Sequence, residues 1–137
     1  MSSSVTEARI YEVGCKIIKQ DSKKVTVKTY ETFSSFFGVN AMVLAVVWNL
    51  LIENDLLNRG ALHEHLLWGC MLMKQYTGDR VLSKIVDVDP KTFRKWAWHI
   101  IYAISWLESE IVSSYYCIYV SDLLLLNFVF NIQLHFF

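Results

Sequence analysis

The sequence predicts a small all-α domain of about four helices, followed by an apolar C-terminal tail. Apolar residues recur every three or four positions between about residues 33 and 112, which is the period of one helical face. Helix-capping residues precede several of these stripes, and the chain has only one proline. The length of 137 residues, 54% of them hydrophobic, is enough for about one domain with its own core.

The first 32 residues predict a basic, poorly ordered leader. Residues 1–30 hold six basic and three acidic side chains. Val25 and Val27 alternate with polar neighbours, which permits a short strand, but the run is too brief to outweigh a flexible arm. The N-terminus lacks the positive start and apolar stretch of a signal peptide, and three isolated cysteines are typical of a reduced, intracellular protein.

Two helices are expected in the first half of the domain. Asn40 is a typical N-cap, and the stripe after it predicts a helix that ends near Glu53. A second helix follows the Asn58-Arg59-Gly60 connection, and we expect Gly78 to end it as a left-handed C-cap. The apolar residues on the two faces are Met42, Val43, Val46, Val47, Leu50 and Leu51 in the first helix, and Leu62, Leu66, Leu67, Met71 and Leu72 in the second.

The second half predicts a short helix, a break and a long helix. We expect Asp79 to cap a helix over residues 80–86 that turns Val81, Leu82 and Ile85 inward, before a break at Asp87-Val88. Asp89 is then an N-cap with Pro90 at the first helical position. The long helix, expected over residues 90–111, has an inward face of Phe93, Trp96, Ala97, Ile100, Ile101, Ile104, Leu107 and Ile111.

This short helix, break and longer helix have the layout of a helix-turn-helix, whose second helix enters the DNA major groove by its N-terminal end. Basic and hydroxyl side chains are needed there, because phosphates dominate affinity and Arg or Lys also contacts guanine. The candidate DNA-binding residues are Lys91, Thr92, Arg94 and Lys95. The alternative is a solvated first turn of an ordinary amphipathic helix.

Catalytic, metal and cofactor sites are not predicted. The sequence has no Gly-rich phosphate loop, no paired carboxylates at strand ends and no recognisable nucleophile with its base. His63 and His65 are two residues apart, roughly 200° around a helix, so capping or packing is expected of them rather than metal binding. Packing is also expected for most of the five tryptophans, although such residues can stack on single-stranded nucleic acid.

The tail, residues 113–137, has a different composition. Seventeen of its 25 residues are apolar or aromatic, and it has no Lys or Arg. Polar residues interrupt it before any run reaches the roughly 18 residues of a membrane span. A self-association or protein-interaction module is one alternative function, because exposed aromatic residues would be adhesive, and a C-terminal membrane anchor is another. The aromatic residues concerned are Tyr115, Tyr116, Phe128, Phe130, Phe136 and Phe137.

Several blocks resemble the N-terminal helical region of Harbinger-type DDE transposases, in the versions found in protists and algae. They are Phe36-Phe37-Gly38, Trp48-Asn49, His65-Leu66-Leu67-Trp68 and the most specific block, Asp89-Pro90-Lys91-Thr92-Phe93-Arg94-Lys95-Trp96-Ala97-Trp98. The resemblance covers about residues 33–112. It implies an all-helical, helix-turn-helix-bearing region whose DNA-facing residues are Lys91, Thr92, Arg94 and Lys95.

In the family that the chain resembles, this region precedes an RNase H-like core whose carboxylates hold two divalent metals. Here the chain passes at Ser113 into the apolar tail instead, with Asp122 as its one acid. We therefore expect a DNA-binding remnant of a Harbinger-like transposase that is not an enzyme, needs no cofactor, binds duplex DNA weakly and is nuclear if the resemblance holds. The tail is expected to be unrelated to the family.

Overall fold

The computed structural model describes residues 3–75 and 77–113, with side chains for residues 6–75 and 77–108. This part of the chain is all-α, as the sequence predicts, but it has six helices instead of about four. They are α1 (Ser3–Ile17), α2 (Val27–Phe37), α3 (Ala41–Glu53), α4 (His63–Gln75), α5 (Asp79–Ile85) and α6 (Pro90–Ser113).

The two additional helices, α1 and α2, correct the expectation of a poorly ordered leader. Helix α1 packs against α3 and α4, and it buries Ile10, Tyr11 and Cys15. At Gly14 a Cβ atom would collide with the ring of Phe33, so glycine is required by the close approach of α2. These interactions join segments far apart in the chain, and a local pattern of apolar residues does not reveal them.

The core lies between α6 and the helices that pack on it, chiefly α4. Six members of the predicted α6 stripe are fully buried, and Trp96 is half-buried. Gly69 of α4 permits the crossing, because a Cβ there would lie 2.8 Å from Cγ2 of Ile100. The six buried members are Phe93, Ala97, Ile100, Ile101, Ile104 and Leu107. The side chain of Ile111 lies outside the described residues.

The caps predicted from the sequence are correct at α3 but wrong around α5. Asn40 caps α3 as predicted, since its side chain accepts a hydrogen bond from Val43 N at 2.9 Å. The expectation for Gly78 is wrong, because it has φ −63° and ψ 151° and precedes α5 as its N-cap. Asp79 is consequently the first residue of α5 and not its cap.

Three helices end in a left-handed residue that is not glycine. Lys19, Asp55 and Asp87 have φ values of 57°, 52° and 58°. After each, the next backbone N–H bonds to a carbonyl five residues earlier, at 2.8–3.0 Å, and this is the Schellman motif. The break predicted at Asp87-Val88 is therefore confirmed as such a motif at the end of α5.

The inward face of α5 also differs from the prediction. Leu82 is buried as expected, but Val81 and Ile85 are 52% and 42% exposed. Ser83 takes the second buried position, and its hydroxyl donates to the carbonyl of Arg80 at 2.9 Å. A helix of seven residues is too short for its apolar spacing to define one face, so its packing against α6 decides which side is buried.

Within the described residues, no single helix has both the length and the apolar character needed to cross a membrane. Helices α2 and α3 reach that threshold only when taken together, with a bend of 51° between them. The tail beyond Ser113, on which the membrane-anchor and self-association alternatives depend, lies outside the described residues.

Candidate nucleic-acid interface

The side chain of Asp89 caps the N-terminus of α6. Its Oδ1 accepts a hydrogen bond from Lys91 N at 2.9 Å, and its Oδ2 accepts from Thr92 N at 3.3 Å. The hydroxyl of Thr92 also donates to Oδ2, and this bond is the largest cause of the lowered pKa of Asp89. The predicted N-cap is confirmed, and it sets the direction in which the first turn of α6 presents its side chains.

All four predicted DNA-binding residues are exposed on this turn. At about 100° per residue, Lys91, Arg94 and Lys95 fall within an arc of roughly 100°, on the side of α6 opposite Phe93. Thr92 lies about 60° outside this arc, and its hydroxyl donates to Asp89. The three basic side chains therefore share one outer face of the helix.

Arg94 is paired within the protein. Its Nε donates to Oδ2 of Asp79 at 2.5 Å, and this bond is the main cause of the lowered pKa of Asp79. The pair links the start of α5 to the first turns of α6, and 53% of the Arg94 side chain is still accessible to solvent. The sequence pattern does not reveal this pairing, because the two residues are 15 positions apart.

Lys91 and Lys95 are the more available cations. Both side chains are exposed, and Nζ of Lys95 lies 5.3 Å from the ring centroid of Trp96, within the range of a cation–π contact. Residues 79–95 contain five basic and three acidic side chains. The local charge is therefore positive but modest, and Asp87 stands exposed at the turn itself.

Helices α5 and α6 are joined by a short, well-defined turn, residues 86–89. Val88 N donates to the carbonyl of Ser83 at 3.0 Å, and Leu82 and Phe93 are buried on either side of the turn. The four-residue turn therefore joins two helices that pack against each other. This arrangement holds the first turn of α6 in a fixed position beside α5.

Two histidines hold the connection between α3 and α4, and the sequence pattern did not reveal their joint role. His65 Nδ1 accepts a hydrogen bond from Leu62 N at 2.9 Å, while its ring stacks on Trp96 at 4.1 Å. His99 Nε2 accepts from Asn58 N at 3.0 Å. Both acceptors need a neutral ring, and burial lowers the pKa of each histidine, that of His65 to about 4.

The aromatic residues divide between the core and the surface of α6. Trp48 and Trp68 are buried, as expected of packing residues. Trp98, Tyr102 and Trp106 follow one another every four residues along the outer face; Tyr102 is 57% and Trp106 63% exposed. The rings of Trp98 and Tyr102 are 5.8 Å apart. This outer aromatic row continues the face that begins with Lys91 and Lys95.

Among the side chains that the structure describes, no group of three or more His, Cys, Asp or Glu residues is placed to hold a metal ion. His65 is engaged in capping and stacking, and His63 lies against Trp48, with the centroids of the two rings 4.6 Å apart.

Comparisons of the chain with family models, curated proteins and solved structures find no match. The functional interpretation therefore rests on the fold and on helices α5 and α6 with the turn between them.

Proposed function

We propose that this protein binds duplex DNA, with the first turn of α6 facing the major groove and α5 lying across the backbone. The observation that supports this best is the exposed arc of Lys91, Arg94 and Lys95 at a capped helix start that packs beside a second helix. In a helix-turn-helix the N-terminal residues of the second helix contact base edges and phosphates.

Each residue of the arc has a distinct part in this proposal. Lys91 and Lys95 supply positive charge to phosphates, the sequence-independent share of affinity. Arg94 must exchange its bond to Asp79 for a base or phosphate, or remain as a strut that orients α6. With two available lysines and Asp87 nearby, binding is expected to be weak, and its salt slope shallow, because few phosphates are neutralised.

The resemblance to Harbinger-type transposases also supports a DNA-binding role. On that basis we propose that the domain is a remnant of the transposase N-terminal region, acts in the nucleus and performs no DNA cleavage. The carboxylates expected of the family's catalytic core are not assigned to any residue of this chain. Its activity would then be binding alone, without a metal cofactor.

A salt series on a labelled DNA duplex tests the proposal. Replacing Lys91, Arg94 and Lys95 together by Ala should weaken binding and reduce the dependence of log affinity on log salt by about 0.9 for each phosphate that is no longer neutralised. A Lys91→Gln, Lys95→Gln variant keeps the Arg94–Asp79 bond, so its weaker binding cannot come from separation of α5 and α6. If affinity and salt slope stay at wild-type values in both variants, the proposal is wrong.

A protein-interaction or self-association module is the second candidate, and the outer aromatic row favours it. Exposed Tyr102 and Trp106 on one helix face form the kind of apolar surface that marks interaction sites. Size-exclusion chromatography can distinguish association through the tail from association through the outer aromatic row. The proteins compared are the full chain, a chain ending at Val112 and a Tyr102→Ser, Trp106→Ser variant. Equal monomeric behaviour of all three proteins contradicts this second function.

A further inference from the structure

A lysine-rich connection joins α1 to α2, and the proposed groove contact uses none of its charges. Residues 16–28 contain five lysines and a single acid, Asp21. The five lysine side chains are all exposed. The sequence pattern assigned this basic charge to a flexible leader, but the structure places it between two packed helices.

Hydrogen bonds hold this connection in position. Lys19 adopts the left-handed conformation that ends α1, with φ 57°, and Gln20 N bonds to the carbonyl of Cys15 at 2.8 Å. The side chain of Gln20 then donates to the carbonyl of Thr29 in α2 at 3.3 Å. A charge presented on such a backbone loses less freedom on binding than one on a free arm.

Two of these lysines face the end of α5. Lys19 and Lys28 line an open cavity of about 800 Å³ together with Ile85, the last residue of α5 before the turn. Ile17 and Ile85 also border a second cavity, of about 330 Å³, which reaches Asp87 in the turn. The lysine-rich connection and the α5–α6 turn are therefore neighbours on one side of the protein.

The two cavities differ in the charges of the side chains that line them, and this difference decides which one favours an anion. Lys19 and Lys28 share the larger cavity with one acid, Glu31. The smaller cavity places Arg9 and Lys16 against three acids, Glu12, Glu64 and Asp87. Phosphate is accordingly favoured beside Lys19 and Lys28 and disfavoured in the smaller cavity.

We propose that Lys19 and Lys28 bind the phosphate backbone of the same duplex whose groove receives the start of α6. This inference rests on the proposed function and extends its contact surface from the α5–α6 unit to the α1–α2 connection. The ligand is the phosphodiester backbone, so these contacts position the duplex and carry no sequence preference. They double the number of available lysines, from Lys91 and Lys95 to four.

A paired variant and a matched control on the same connection test the inference. Lys19→Asn with Lys28→Gln removes two charges, and Asn tolerates the left-handed backbone at position 19. Lys23→Gln with Lys24→Gln removes the same charge, but Lys23 lines a different cavity with Glu7 and Tyr30. Fluorescence anisotropy of a short labelled duplex of mixed sequence gives affinity across a salt series for the full chain and each variant.

We expect the Lys19, Lys28 variant to reduce the salt slope by about 1.8, and the control pair to leave it nearly unchanged. The decrease in affinity should be alike on duplexes of different sequence.

If only the Lys91, Lys95 variant loses binding, this inference is overturned and the proposed function stands. If only the Lys19, Lys28 variant does, the groove contact of α6 is overturned, and with it the shared duplex. An equal decrease in the control pair means diffuse charge attraction and overturns the inference, and unchanged binding in every variant overturns both.

Discussion

Acidification should destabilise this domain through His65. The ring is only 6% exposed, accepts a hydrogen bond from Leu62 N and stacks on Trp96, and its burial lowers the pKa from the ordinary 6.5 to about 4. Because the folded-state pKa lies below the unfolded one, the unfolded chain takes up a proton first as pH falls. The stabilising contribution is therefore complete above about pH 6.5 and declines between pH 6.5 and 4.

The size of the effect follows from the two pKa values. Between about pH 7 and about pH 5, proton linkage at His65 alone removes about 2 kcal/mol from the free energy of unfolding. His63 and His99 also have lowered pKa values, chiefly from burial, so their contributions have the same sign. The pKa values of Asp79 and Asp89 are also lowered, but these carboxylates change protonation only below about pH 4. They therefore do not affect the change in stability between about pH 7 and about pH 5.

Urea unfolding followed by far-ultraviolet circular dichroism at about pH 7 and about pH 5 measures this decrease. The matched variant is His65→Gln, because Gln at the third position of a helix accepts a hydrogen bond from the N-cap N–H without titrating. The variant should be less stable at about pH 7, since it lacks the ring stack, but should lose about 2 kcal/mol less than the wild type on acidification. An identical pH dependence of the two proteins would falsify the role assigned to His65.

Three further predictions concern helix α6 and its surroundings. Replacing Asp89 by Ala should cost about 1 kcal/mol of stability in urea unfolding, whereas Asp89→Ser should retain most of it; equal decreases would mean that the side-chain cap contributes nothing. Gly69→Ala should lower stability by about 1–3 kcal/mol because the new Cβ meets Ile100 at 2.8 Å. Gly78→Ser, whose new Cβ has no atom within 4 Å and whose side chain is favoured at an N-cap, should change stability by only a few tenths of a kcal/mol; similar losses of stability in the two variants would refute the close crossing. Asp87→Asn keeps a residue that tolerates positive φ and removes a negative charge from the turn, so duplex DNA affinity should rise with little change in stability; unchanged affinity at low salt would place the DNA away from the turn.

Local signals in the sequence were sufficient where the structure depends on neighbours in the chain. Asn40 and Asp89 cap α3 and α6 because a side-chain oxygen reaches a backbone N–H three residues ahead, whatever the rest of the fold does. The long apolar stripe of α6 likewise predicted its buried face, since about five turns of consistent spacing leave one solution. The candidate arc of Lys91, Arg94 and Lys95 follows from the same helix.

Other features arise only when distant segments meet. Helix α1 was predicted as part of a poorly ordered leader, yet packing on α3 and α4 buries Ile10 and Cys15. In α5, contact with α6 decides that Ser83 is buried and Ile85 exposed. The bond from Arg94 to Asp79 joins residues 15 positions apart.

The sequence by itself determined the all-α class, the capped start of α6 and the identity of its exposed basic residues, because each depends on spacing within one helix. Tertiary structure decided that the basic leader is folded and that Lys19 and Lys28 share a cavity with Ile85 at the end of α5. It also decided that Arg94 is already engaged by a carboxylate. Burial and charge pairing depend on which surfaces come into contact in the folded protein. The sequence around one residue does not show which distant residues will contact it.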